Sequence, residues 1–304
     1  MVNLKNKNVI ITGASRGIGF ELSKCFIKNN ANIIICSKNK RNIKNAFIKL
    51  KKLIKNDQKL FYSAVDVSSE LQVKRFIKYS IKKLKNINIL INNAGIYGPK
   101  GLIENIKWNE WKKAIDTNLF GSVLMSRALI SHFKRRNEGK IIQLSGGGVA
   151  GPLPRITSYG VSKIGIVKFV ESLSEEVKDY KININTVAPG AINTQMLDEL
   201  IASGPKTIGM YFYKKALHQK NKGGTGYKNI CDLVMYLSSK NGNGIKGKII
   251  HALWDDWKSL KKYSKQLTKS DVFTLKRVSP IDRNFKWGIS DKIYEYDTLF
   301  SPKR

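Results

Sequence analysis

Little in this 304-residue chain can hold a metal or a disulfide framework. Its three cysteines, Cys25, Cys36 and Cys231, stand far apart without a CxxC spacing, and read as small core residues of a reducing compartment. The three histidines, His132, His218 and His251, are equally scattered, so no zinc set is visible and no metal is expected. No apolar run approaches the length that spans a bilayer, and no membrane partner is expected. Met1-Val2-Asn3-Leu4-Lys5 leads straight into a strand-like run with no signal peptide ahead of it, which points to a cytoplasmic protein.

Acidic residues are also scarce, 22 Asp and Glu against 55 Lys and Arg, for a formal net charge of +33. Such a balance invites a nucleic-acid reading. The charge, however, is mostly Lys spread from Lys5 to Lys303 among abundant Asn and Ile, as an A/T-rich genome writes onto neutral surface positions. A polyanion site needs clustering on one face, so no nucleic-acid partner is expected. An acidic cofactor or substrate would still be drawn in by the field.

What is present is a core and a rhythm. A hydrophobic fraction of 42% supports a buried interior. Asn8-Val9-Ile10-Ile11-Thr12 reads as a buried parallel strand, followed by the turn Gly13-Ala14-Ser15-Arg16-Gly17-Ile18-Gly19 and a helix over 20–28. Strand, glycine turn, helix is the context of a phosphate loop, although a purely structural βα turn has the same look. A second strand over 32–36 leads to Ser37-Lys38-Asn39. An acid there would hold a ribose 2′-hydroxyl; its absence, with Lys38 and Arg16 at hand, favours NADP(H) over NAD(H).

Helix 41–55 and strand 60–65 end at Asp66-Val67, where Asp66 suits an adenine amino group or a plain helix cap. Helix 70–84 and strand 87–91 follow, with the small polar exit Asn92-Asn93-Ala94-Gly95. Strand and helix alternating four times predict an α/β fold, a Rossmann-like doubly wound parallel sheet of about seven strands with helices on both faces. A long helix over 108–137 carries Asn118, and strand 140–144 delivers Ser145-Gly146-Gly147-Gly148. Farther on, Tyr159 and Lys163 stand four apart, one face of a helix. Their ammonium would lower the phenol pKa, but a solvated pair in a Lys-rich helix has the same spacing.

The chain resembles the short-chain dehydrogenase/reductase family. Thr12–Gly19 in the TGxxxGxG pattern, Asp66-Val67, Asn92–Gly95, Asn118, Tyr159 with Lys163, Pro189-Gly190 and Thr194 fall in the family's order over about residues 5–250. The resemblance implies an NAD(P)-dependent oxidoreductase acting on a small carbonyl or alcohol, usually a homodimer or homotetramer. It implies Tyr159 as the proton donor, Lys163 on the nicotinamide ribose, Ser145 on the substrate carbonyl and Asn118 holding a water in the proton relay. Cofactor contacts are implied at Gly13, Ser15, Arg16, Gly17, Ile18, Gly19, Lys38, Asp66, Val67, Asn93, Ala94, Gly95, Tyr159, Lys163, Pro189, Gly190, Ile192 and Thr194.

Two departures stand out. The family serine lies thirteen residues before the tyrosine, a place held here by Gly146, while Ser145 lies fourteen before it. Gly tolerates a local backbone shift, so Ser145 is expected to reach the carbonyl, with a backbone N–H, a water or Thr157 as the other donors. The second departure is length. The family domain is expected over 1–253, with a substrate loop over about 195–222, where Met196, Met210, Tyr211, Phe212 and Tyr213 are pocket candidates. Residues 254–304 form an extension with aromatics at Trp287, Tyr294, Tyr296 and Phe300 and one short helix near 257–267: a lid, a cover on the core or an oligomer arm. Its Trp254-Asp255-Asp256-Trp257 segment resembles reductases of surface-polysaccharide gene sets, so polysaccharide- or lipid-related metabolism is expected. Two other readings stay open, a cofactor-binding sensor that has lost the chemistry and a basic nucleic-acid-binding protein.

Overall fold

Runs such as Val9-Ile10-Ile11 and Ile33-Ile34-Ile35 are apolar at every position because both faces of their sheet are covered, and all six side chains are fully buried. The computed structural model describes residues 2–55 and 57–285. Seven strands, β1 (Asn8–Thr12), β2 (Asn32–Ser37), β3 (Leu60–Ala64), β4 (Ile89–Asn92), β5 (Gly139–Leu144), β6 (Ile182–Ala188) and β7 (Lys248–His251), form one parallel sheet in the order β3-β2-β1-β4-β5-β6-β7. The chain runs outward from β1 to β3, then returns to β4 on the other side of β1. That reversal opens a crevice at the carboxyl ends of β1 and β4.

Alternate residues go to opposite faces. Val9, Ile11, Ile33 and Ile35 join the core that includes Leu22 and Phe26 of α1 (Gly17–Lys28), Ile43 and Leu50 of α2 (Lys40–Lys51), and Leu233 and Leu237 of α10 (Lys228–Ser238). Ile10 and Ile34 join the core with α3 (Glu70–Leu84), α5 (Gly121–Arg136) and α6 (Thr157–Glu176). The remaining helices are α4 (Trp108–Ile115), α7 (Gln195–Ala202), α8 (Gly204–Ile208), α9 (Met210–Asn221) and α11 (Ser264–Thr268).

Two helix expectations need correction. The span 108–137 is not one α-helix, because a π-helical segment over Asp116–Phe120 separates α4 from α5. The widened turn holds Asn118, whose side chain bonds across to another segment instead of facing solvent. The helix expected near 257–267 shrinks to α11. Trp257 donates its indole N–H to the Ala252 carbonyl, and the Lys261 N–H donates to the Tyr236 hydroxyl, so these turns are pinned to α10.

The described part of the extension packs against the main core. Trp257, Leu260 and Leu267 are buried in the main core. The Phe273 carbonyl accepts from the Ile249 N–H at 2.8 Å and the Asp255 carboxylate accepts from the His251 N–H at 2.6 Å, both on the edge strand β7. Leu275 N–H donates to Glu171 of α6. Trp287, Tyr294, Tyr296 and Phe300 lie outside the described residues.

Cys25 of α1 and Cys231 of α10, distant in sequence, bring their thiols together between the two helices, both reduced. Among the described residues no helix is long and apolar enough to cross a membrane, and no group of three or more His, Cys, Asp or Glu could hold a metal ion.

Candidate active site

The glycine turn is shaped by its neighbour across the crevice. Gly13 has φ +63° and Gly17 φ +56°, the left-handed region that favours glycine. A Cβ on Gly13 would meet the Ala94 Cα at 2.7 Å, and one on Gly19 would meet the Asn93 amide nitrogen at 2.5 Å. That amide donates to the carbonyls of Thr12 and Gly13, while the Thr12 hydroxyl accepts from the N–H groups of Asn93 and Ala94. Asn93 and Ala94 therefore set the loop's shape. Helix α1 begins within it, at Gly17, with no side-chain cap and no acid in its first turn, which leaves its leading N–H groups without a side-chain acceptor. Close backbone, φ > 0 glycines and an uncapped helix start fit a pyrophosphate.

The exits of β2 and β3 carry opposite charges. Lys38, just past β2, forms an ion pair with Asp66 at 2.6 Å, and Asp66 also accepts from the Ser68 hydroxyl and N–H. Partial burial works against the Asp66 charge, but Lys38 and Ser68 together hold its carboxyl below the usual range. Its Val67 neighbour packs on Gly121, where a Cβ would come within 2.7 Å. Arg16 reaches the other way, to Gln195 and, at 3.4 Å, to Glu199 of α7.

Helix α6 carries the Tyr159–Lys163 pair. The Tyr159 ring lies 4.8 Å, centroid to centroid, from that of Tyr97 and 5.4 Å from the Lys163 ammonium. Lys163 is buried and donates to the Leu144 carbonyl at 2.8 Å. A Cβ on Gly95 would sit 3.7 Å from the Lys163 Nζ and 3.3 Å from the Asn118 Oδ1, so the three meet at the exit of β4. The Asn118 carboxamide accepts from the Ile96 N–H and donates to the Ile96 carbonyl and the Ser162 hydroxyl. Ser162 in turn donates to the Tyr159 carbonyl.

The electrostatics differ from the sequence expectation in one respect. Burial, with the Tyr97 phenol beside it, pushes the Tyr159 hydroxyl up rather than letting Lys163 bring it down. Burial likewise lowers Lys163, to about 8. The reason is local: the Lys163 ammonium bonds to a backbone carbonyl, and desolvation outweighs its pull on the phenol.

Ser145 and Gly146 part company at the end of β5. The Ser145 hydroxyl is buried and has no hydrogen-bond partner within the protein. Gly146 faces the tyrosine, and a Cβ there would lie 2.1 Å from the Tyr159 hydroxyl oxygen. The place of the family serine is thus filled by the tyrosine's own oxygen.

On the far wall, Gly190 follows Pro189 with φ +86° beneath Leu253, and Ile192 is buried in the main core. Thr194 lies over Gly17 and precedes α7. Helices α7, α8 and α9 replace the loop expected over 195–222 and pack on Tyr159 and Tyr97 through Leu197, Leu200, Ile208, Phe212 and Tyr213. Met210 and Tyr211 face solvent instead. Tyr97 and Glu199 are not singled out by the sequence. Tyr97 follows the Asn92–Gly95 segment closely, and Gly146 was signalled by its count from Tyr159.

The family described as short chain dehydrogenase matches residues 7–203. The chain is similar to the 3-oxoacyl-[acyl-carrier-protein] reductase FabG of Chlamydia muridarum, 35% identical over 64% of this chain and 77% of that protein. FabG of Buchnera aphidicola is 30% identical over 81% of this chain and 95% of its own. Chlorophyll(ide) b reductase NOL, chloroplastic, of Oryza sativa subsp. japonica is 32% identical, over 68% of this chain and 60% of its own. Among solved structures, NAD+-bound xylitol dehydrogenase superposes with a TM-score of 0.74 at 20% identity, covering 81% of this chain and 97% of that one, which shows the fold. With this sheet, this crevice and these relatives, the chain belongs to the short-chain dehydrogenase family of oxidoreductases, which bind a nicotinamide cofactor.

Proposed function

We propose that the protein transfers a hydride reversibly between NADP(H) and a carbonyl or secondary alcohol, with Tyr159 moving the proton. The observation that carries this reading is the meeting of Lys163 and Asn118 beside Gly95, with the Tyr159 ring 5.4 Å from the Lys163 ammonium, at the same sheet edge as the glycine turn. The bound cofactor supplies or accepts the hydride. The turn from Gly13 to Gly19 holds its pyrophosphate, Pro189, Gly190 and Thr194 wall its nicotinamide, and Lys163 takes its ribose.

Burial keeps the Tyr159 phenol protonated, the form that carbonyl reduction needs. Tyr159 donates that proton to the substrate oxygen, and Asn118 supports the path by which it is replaced. The unpartnered Ser145 hydroxyl is the side-chain donor for the carbonyl. Replacing Tyr159 by Phe lowers carbonyl reduction by about two orders of magnitude or more, measured as kcat/KM. Undiminished turnover would falsify the assignment, and NADPH binding without turnover by the native chain on a broad carbonyl panel would make it a sensor.

Lys38 and Arg16 support NADP(H). Lys38, now paired with Asp66, and Arg16, now paired with Glu199, would hold its 2′-phosphate. Lys38→Asp therefore moves the NADPH/NADH ratio of kcat/KM toward NADH by about tenfold; an unmoved ratio shows that Lys38 does not read the phosphate.

A further inference from the structure

The helices over Tyr159 differ sharply between their inner and outer surfaces. Inside, Leu153, Ile156, Leu197, Leu200, Phe212 and Tyr97 pack with the Tyr159 ring in one apolar cluster. Charged groups stand around this cluster. Arg155, at φ +65°, donates to the Lys206 and Thr207 carbonyls at the end of α8, and Arg16 bonds to Gln195 and Glu199 of α7. The Lys100 ammonium sits 6.0 Å from the Tyr97 ring. Arg155 thus fastens the cover at α8, and what packs over the tyrosine is largely hydrocarbon.

We infer that the substrate presents an apolar carbon skeleton beside its reacting carbonyl: an aliphatic or aromatic ketone or aldehyde, not a polyhydroxylated sugar or polyol. This rests on Tyr159 being the proton donor. Any substrate that brings its oxygen to Tyr159 takes the place of, or slides between, the apolar groups packed there. A hydrocarbon chain restores the contacts it displaces, worth about fourfold per buried methylene. A sugar carries a hydroxyl on nearly every carbon, and each one buried without a partner weakens binding about tenfold.

The experiment compares ketones of matched carbon number with the full chain and saturating NADPH. Across 2-butanone to 2-octanone, kcat/KM rises about threefold to fourfold per methylene, and 2-pentanone exceeds xylulose by at least about a hundredfold. Phe212→Ser lowers the slope to under about twofold per methylene, through KM more than kcat. A flat series, or xylulose at or above 2-pentanone, overturns the inference. If no ketone or sugar is reduced, the function reading fails, and the class is read from calorimetric binding to the NADP+ complex. There, 2-pentanol bound more tightly than xylitol upholds the apolar site; xylitol bound as tightly or more so, or neither bound, overturns it.

Discussion

The two ends of the sheet treat buried polar groups in opposite ways. At the amino ends, Asn8 donates its amide to the Leu84 and Asn86 carbonyls and accepts from Asn32, while its backbone N–H donates to Asn88. Lys140, half-buried beside them, donates to the Leu237 and Ser239 carbonyls at the end of α10. At the carboxyl ends, Ser37, Asn92, Gln143, Ser145 and Thr186 each leave a buried oxygen without a partner, whereas near the amino ends Ser238 of α10 alone among the described residues does so. Asn92, Gln143 and Thr186 are register neighbours across β4, β5 and β6, one continuous row. Since nearly all buried polar atoms in folded proteins are paired, the contrast separates an end built to hold the fold from an end left open for chemistry.

The largest test of that contrast is a pair of truncations. Asn8→Ala strips three partners at once and lowers stability by about 3 kcal/mol in urea unfolding. Thr186→Val removes an oxygen that bonds to nothing, and changes stability by less than about 1 kcal/mol, in the favourable direction. Comparable losses at the two positions would erase the difference between the ends.

Next is Lys163, whose burial lowers its pKa to about 8 against an unfolded value near 10.5. Below pH 8 both states hold the proton and the fold bears the cost of a buried charge. Between pH 8 and 10.5 the folded chain has released it while the unfolded chain has not, so native stability rises with pH in that window. Lys163→Met thus raises stability at pH 7 by roughly 2 kcal/mol while abolishing turnover, and its advantage fades toward pH 10.5. A variant less stable than the native chain at pH 7 would remove the claim that this end holds strain for function.

The smallest effect concerns Gly146. Gly146→Ser restores the family's residue at its usual count from the tyrosine, yet its Cβ falls on the Tyr159 hydroxyl. Activity drops about tenfold with the thermal midpoint nearly unchanged. A gain in kcat would show that the tyrosine moves aside.

The architecture was legible because its signals are local. The Val9–Ile11 and Ile33–Ile35 runs announce buried strands, and the glycines at 13, 17 and 19 announce a turn where side chains have no room. The pairings made by folding were not legible. Nothing adjacent in sequence links Arg16 to Glu199, Lys38 to Asp66 or Cys25 to Cys231. The helix expected unbroken over 108–137 fails at Asn118 because a tertiary bond to Ile96 overrides a helical periodicity. For the Tyr159–Lys163 pair, spacing gave the neighbours, but the direction of their pKa shifts depends on burial, which no spacing encodes.

The extension across β7 has a consequence for how copies of this chain meet. An end strand normally offers a row of open N–H and C=O groups to whatever strand passes. Here the Ile249 and His251 N–H groups are already taken by the Phe273 carbonyl and the Asp255 carboxylate. The last strand is terminated by its own chain, as a growing polymer is ended by a stopper. A second copy seeking to continue the sheet at this end would first have to peel the extension away, against the buried Trp257, Leu260 and Leu267 that anchor it.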